Sequence, residues 1–141
     1  MSALDLPPSA ESVRVARRFV RAELRDSTVD VEVALLLVSE VVTNAVLHAR
    51  SPLRVMVDPT SPGARIEVRD GSPVPPRLHS FPTTSATGRG LRLLDRLAVA
   101  WGVEPNDSGK TIWFDVGEPS DGGWEPFSVD DLIVGGAGGD P

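Results

Sequence analysis

Glu40, Asn44 and His48 recur at intervals of four residues within a segment that otherwise consists largely of Val, Leu and Ala. On an α-helix, side chains at this spacing lie along one side, one turn apart. The amide oxygen of Asn44 suits a hard divalent cation, because such ions prefer oxygen ligands. The carboxylate of Glu40 could orient a nucleophile or accept its proton. A solvated polar stripe explains the spacing equally well, and we leave His48 out of the candidate site.

A second acidic group, Asp70, ends a predicted strand and is followed by Gly71. Its carboxylate could point into a pocket and accept a hydrogen bond from an exocyclic amine, and glycine lets the backbone approach a ligand closely. An ordinary Asp-Gly turn is the alternative. Thr111, which begins the last predicted strand, could lie beside Asp70. We interpret the preceding Lys110 as part of a hairpin turn, because the upstream glycine and the following helix of a phosphate-binding P-loop are absent.

Two glycines, Gly88 and Gly90, flank Arg89 and are followed by Leu91 at the start of a segment with helical periodicity. The N–H groups and the dipole at a helix N-terminus favour phosphate, and Arg89 adds a positive charge beside them. A single Gly-x-Gly is a weak signal, since many loops contain one. The order and spacing of all these groups together are more specific than any one of them.

The composition indicates a soluble protein with one domain. A chain of 141 residues can bury a substantial core, and the absence of cysteine excludes a disulfide framework. The longest unbroken apolar run, residues 33–38, is too short to span a bilayer. The first eight residues lack the pattern of a signal peptide. We therefore expect a cytoplasmic protein without membrane contact.

The net charge of −6 is confined to the end of the sequence. Residues 117–141 contain six acidic residues and no Lys or Arg, whereas residues 1–116 contain 14 acidic and 14 basic residues. The last segment is also rich in Gly and Pro, which is typical of a flexible tail. The sequence therefore predicts a domain over residues 1–116 and an acidic tail over residues 117–141, and its charge argues against direct nucleic-acid binding.

Hydrophobic periodicity assigns the candidate residues to elements. Helical spacing predicts three helices, over residues 9–25 with Ser9 as N-cap, 30–48 and 90–97. Alternation predicts two strand pairs, residues 53–58 with 64–70 and residues 98–103 with 111–116. This order indicates an α+β two-layer sandwich, in which helices cover one face of a mostly antiparallel sheet. Residues 71–88 show no periodicity and predict a lid, with a disordered insertion as the alternative.

The combination resembles a known superfamily of ATP-binding domains. Glu-x-x-x-Asn-Ala on a long helix, a strand ending in Asp, a lid and Gly-x-Gly-Leu opening a helix resemble the gyrase, Hsp90, histidine-kinase and MutL ATPases. Within that superfamily, "SEVVTNAVLHA", "VRDGSPVPP", "GRGLRLLDRLAVAWGV" and "GKTIWFDV" are similar to the anti-sigma-factor serine/threonine kinases of the actinobacterial type. The resemblance covers about residues 9–116.

The resemblance implies ATP and Mg²⁺ as cofactors, bound between the sheet and an ATP lid. Asn44 would match the magnesium ligand and Glu40 the carboxylate that activates the acceptor hydroxyl. Asp70 would bind the adenine amine, with Thr111 supporting it through water. The remaining residues expected at the nucleotide are Gly71, Gly88, Arg89, Gly90 and Leu91. The implied partners are an anti-sigma-factor antagonist, which would be phosphorylated, a sigma factor and a second copy of the chain in a homodimer.

Two departures from the family pattern leave alternatives open. Ser72 and Pro73 replace the usual second glycine after Asp70, which stiffens that loop. Ala86 and Thr87 stand where some kinases of this branch carry a basic residue. A partner switch that binds ATP without transferring phosphate is therefore the second hypothesis. A degenerate domain without nucleotide is the third, and the intact set of site residues argues against it.

Overall fold

The computed structural model describes residues 1–59, 63–72 and 86–119, with the backbone alone for residues 86–91. Most of the predicted lid and residues 120–141 of the predicted tail lie outside this part. The strands are β1 (Ser2–Leu6), β2 (Leu53–Asp58), β3 (Ala64–Asp70), β4 (Ala100–Asn106) and β5 (Gly109–Val116). The helices are α1 (Glu11–Glu23), α2 (Val31–Asn44) and α3 (Ala86–Leu97), and a π-helical segment, Ala45–Ala49, continues α2.

The five strands form one sheet in the order β1-β2-β3-β5-β4, and every neighbouring pair is antiparallel. Alternate residues of the strands, such as Val55, Ile66 and Phe114, are buried in one core with residues of the helices. The other face carries charged residues, including Arg65, whose guanidinium lies 4.2 Å from the centre of the Trp113 ring. The predicted α+β sandwich is confirmed.

Helix α2 lies at the centre of the helical layer. It begins at Val31, one residue after the predicted start, and Asp30 is its N-cap, since the Asp30 side chain accepts a hydrogen bond from Val33 N at 3.3 Å. The helix contacts α1, α3, β3 and β5, which explains why it is apolar nearly all round. The segment Val31–Ala49 is long and apolar enough to cross a membrane by length and composition alone, yet half of it is buried within this fold. We interpret it as a core helix.

The N-terminal region differs from the prediction in two respects. Residues 2–6 form β1, which was not predicted, and its Asp5 bonds to Arg54 of β2 at 2.6 Å. Helix α1 begins at Glu11 rather than Ser9, and its N-cap, Ala10, makes no side-chain bond. The prediction of Ser9 as N-cap was wrong, because Ser9 N instead donates to Pro7 O at 2.8 Å in a turn that precedes the helix.

The end of β5 is attached to the loop between α1 and α2. Gly117 O accepts a hydrogen bond from Asp30 N at 2.9 Å. The side chain of Glu118 accepts one from Thr28 Oγ1 at 2.8 Å. The first two residues of the predicted tail are therefore hydrogen-bonded to the fold. The division of the chain into a domain and a tail after residue 116 stays a prediction.

Candidate functional site

Glu40 and Asn44 lie one turn apart near the end of α2, about 6 Å along the helix axis. Oε1 of Glu40 and Oδ1 of Asn44 are both buried, and Asn44 as a whole is only 7 % exposed. Burial of these oxygens argues against a solvated polar stripe, because such a stripe would face water. His48, which we had left out of the site, is exposed.

The segment of α2 that carries this pair makes side-chain hydrogen bonds within the helix and one to an arginine of α1. Arg17 Nη1 donates to Ser39 Oγ at 2.6 Å, and Ser39 Oγ donates to Leu35 O at 2.7 Å. Thr43 Oγ1 in turn donates to Ser39 O at 2.7 Å. Ser39 and Thr43 flank Glu40 in the sequence, and the bond from Arg17 connects this part of α2 to α1.

The helix widens into a π-helical segment directly after Asn44. The segment ends at Ala49, and the next residue, Arg50, has a left-handed φ of 54° and donates its N–H to Ala45 O at 3.4 Å. Single π-helical turns occur frequently at functional sites. Here the change of helical repeat separates the line of Glu40 and Asn44 from the exposed His48.

Asp70 lies in a buried ion pair with Lys110. Lys110 Nζ is 3.0 Å from both carboxylate oxygens of Asp70, and the side chains are 9 % and 3 % exposed, respectively. Asp70 Oδ1 also accepts a hydrogen bond from Ser72 N at 2.8 Å. The carboxylate predicted to accept from a ligand amine is thus buried as expected, but a cation that we had assigned to a turn contacts both its oxygens.

The register of β3 and β5 explains this contact. Asp70 pairs with Lys110, and Arg69 pairs with Thr111. Because side chains alternate between the faces of a sheet, Thr111 shares a face with Arg69 and not with Asp70. This differs from the expectation that Thr111 lies beside Asp70. The pairing runs from Ala64 with Val116 to Asp70 with Lys110, and the predicted strand over residues 111–116 did not include Lys110.

Close packing of two glycines brings the ends of these strands together. A Cβ added to Gly109 would lie 1.9 Å from Asp70 O and 2.7 Å from the Cα of Gly71. Gly71 N donates to Ser51 Oγ at 2.7 Å, and a Cβ on Gly71 would lie 2.9 Å from the same oxygen. A side chain at position 71 would therefore displace the Ser51 hydroxyl, and the expected role of Gly71 at the nucleotide stays a prediction.

The glycine pair lies inside α3 rather than before it. We predicted a helix from Gly90, but α3 begins at Ala86, so that Gly88 falls in its first turn and Gly90 in its second. Glycine costs about 1 kcal/mol in a helix relative to alanine but does not exclude one. The N–H groups in the first turn of an α-helix have no hydrogen-bond acceptor within the helix. In α3 these groups belong to Ala86, Thr87 and Gly88.

The candidate groups lie on elements that all contact helix α2 or belong to it. Helix α2, which carries Glu40 and Asn44, contacts α3 and β3. The phosphate-binding amides predicted at α3 and the ion pair at the end of β3 therefore lie on elements next to the same helix. The side chains of Arg89 and Leu91 lie outside the described residues, so their expected roles stay predictions.

Comparisons with known proteins agree with this arrangement. A search of curated proteins finds no match to the chain. The family model of the histidine kinase-like ATPase domain matches residues 6–116, which comprise the last residue of β1, strands β2 to β5, and helices α1 to α3. Since the match covers most of the chain, the protein belongs to the family of histidine kinase-like ATPase domains.

Proposed function

We propose that the chain is a Mg²⁺-dependent, cytoplasmic serine/threonine kinase of the anti-sigma-factor type. It phosphorylates an anti-sigma-factor antagonist and binds a sigma factor. The observation that carries the proposal is the pair Glu40 and Asn44, whose buried oxygens lie one turn apart on the central helix. Membership of an ATPase family implies ATP as the ligand; the protein substrate and the partners come from the sequence resemblance.

The residues present fit Mg-ATP. The buried amide oxygen of Asn44 is a suitable magnesium ligand. Among the described residues there is no group of three or more His, Asp or Glu that could hold a metal, so phosphate oxygens would complete the coordination. The amides at the start of α3 suit phosphate. Asp70, buried beside Lys110, offers an acceptor to the base.

The residues would divide the chemistry of phosphoryl transfer among them. ATP supplies the phosphoryl group, and Mg²⁺ neutralises charge on the phosphates. Glu40 would accept the proton of the attacking serine or threonine hydroxyl. The hydroxyl oxygen then bonds to the γ-phosphorus of ATP, and the bond between that phosphorus and ADP breaks. Asn44 holds the metal, and the α3 amides bind phosphate oxygens. Positioning and charge account for most of the catalysis in such reactions.

Single-turnover transfer of labelled γ-phosphate to an antagonist-type protein tests the proposal. Glu40→Gln preserves shape, so it should leave ATP affinity nearly unchanged and lower transfer by about a hundredfold, the scale of a proton-transfer residue. Asn44→Ala should weaken both. Glu32→Gln is the matched control, because Glu32 is an exposed glutamate on the same helix and should change neither.

A partner switch without kinase activity is the alternative. Ala86 and Thr87, in place of a basic residue, form the first turn of α3 and favour this alternative. In that case ATP binds, no phosphate is transferred by any variant, and Asn44→Ala still weakens the ATP-dependent complex with the partner. Normal transfer by Glu40→Gln would instead remove Glu40 from the mechanism.

A further inference from the structure

Lys110 is buried, and its ion pair with Asp70 does not use all of its hydrogen-bond donors. An ammonium group has three N–H donors, and among residues 1–59, 63–72 and 86–119 its acceptors are the two oxygens of Asp70. At least one donor is therefore directed elsewhere, although the side chain is only 9 % exposed. Lysine is rarely buried to this extent, and buried donors normally find an acceptor.

Asp70 retains one matching acceptor position. A carboxylate accepts about four hydrogen bonds through its two oxygens. Lys110 contacts each oxygen, and Ser72 N donates to Oδ1. Within the described part of the chain, Oδ2 can thus accept one more bond. The pair presents one donor beside one acceptor, both held in place by the close approach of Gly109 to Asp70.

We propose that Lys110 and Asp70 together recognise the nucleobase through hydrogen bonds. Its ammonium donates to a ring nitrogen that flanks the exocyclic amine of adenine, while Oδ2 of Asp70 accepts from that amine. An aminopurine carries this donor next to an acceptor on the same edge, which complements the buried pair. The inference rests on the proposed function, since it assumes that adenine is bound at Asp70. It assigns a specificity role to a lysine that sequence reasoning had placed in a turn.

Calorimetric titration of the full-length protein with ATP, 1-deaza-ATP and 7-deaza-ATP at fixed Mg²⁺ tests the assignment. Each analogue lacks one of the two ring nitrogens that flank the amine. One of them should bind the natural protein about ten- to a hundredfold more weakly than ATP, the scale of a hydrogen bond to a charged group. Lys110→Met should bind ATP and both analogues within about threefold of one another, because its donor is gone.

Two further variants make the outcome decisive. If Lys110→Met does not fold, the Asp70→Asn/Lys110→Met double variant replaces it, because neither charge is then buried alone. Arg54→Met, which breaks the exposed pair with Asp5, should keep the analogue preference of the natural protein. Equal binding of ATP and both analogues to the natural protein, or an equal loss in the lysine variant, overturns the inference. A natural protein that does not bind ATP overturns the proposed function instead.

Discussion

Replacing Lys110 by methionine should destabilise the fold strongly, since it leaves the Asp70 carboxylate buried without its countercharge. At 3.0 Å and an effective dielectric constant of about 20, the two charges attract by about 5–6 kcal/mol. Desolvation of each ion costs several kcal/mol, so the intact pair contributes little net stability. Removing one partner keeps the cost and loses the attraction, and we expect a loss of about 3–5 kcal/mol.

Urea denaturation followed by the fluorescence of Trp101 and Trp113 in β4 and β5 measures this loss. In thermal unfolding it should correspond to about 10–20 °C. The Asp70→Asn/Lys110→Met double variant should recover most of the stability, because both charges are then absent. Arg54→Met is the matched control at an exposed ion pair and should change stability far less, because exposed pairs contribute little. If Lys110→Met and Arg54→Met are equally stable, the description of Asp70 and Lys110 as a buried pair is refuted.

Two further predictions concern the sheet. Gly109→Ala should destabilise the protein by about 1–3 kcal/mol or more, because its Cβ would overlap Asp70 O. Gly117→Ala is the control, since its Cβ would meet only Val99 Cγ2 at 3.2 Å. Equal urea midpoints for the two variants would contradict the close approach of Gly109 to Asp70. The bond from Arg54 lowers the pKa of Asp5 below 3.8. Its stabilisation is therefore present above pH 3.8 and is lost as the pH falls through the lowered value, so the urea midpoints of the natural protein and Asp5→Asn should differ at neutral pH and converge in acid.

Local patterns were sufficient to predict most of the fold. The alternation in β2 and β3 and the apolar surface of α2 follow from burial on one face or on most sides, which single segments record. Strand β1 was missed because only Leu4 and Leu6 alternate in it, and its place depends on pairing with β2. The start of α3 was missed because Gly88 and Gly90 suggested a loop, although glycine can adopt helical angles.

One half of the candidate site could be predicted from a local pattern, whereas the other half depends on pairing between distant residues. Glu40 and Asn44 are related by the repeat of one helix, so their spacing alone indicated a shared side. The contact between Asp70 and Lys110 joins residues 40 positions apart in the sequence, and it depends on the register of β3 and β5. The predicted strand began at Thr111, two residues after the observed start of β5 at Gly109, so Lys110 was not recognised as a strand residue opposite Asp70.

Register therefore determines the base-binding half of the proposed site. A shift of one residue between β3 and β5 would place Gly109 or Thr111 opposite Asp70 and would move Lys110 to the other face of the sheet. The packing of Gly109 against the backbone of Asp70 and Gly71 opposes such a shift, because it fits only a residue without a Cβ. The phosphate-binding half depends instead on α2 and on the start of α3. Variants at Gly109 should consequently weaken the proposed discrimination between ATP and its deaza analogues and should leave the proposed dependence of binding on Mg²⁺ through Asn44 unchanged.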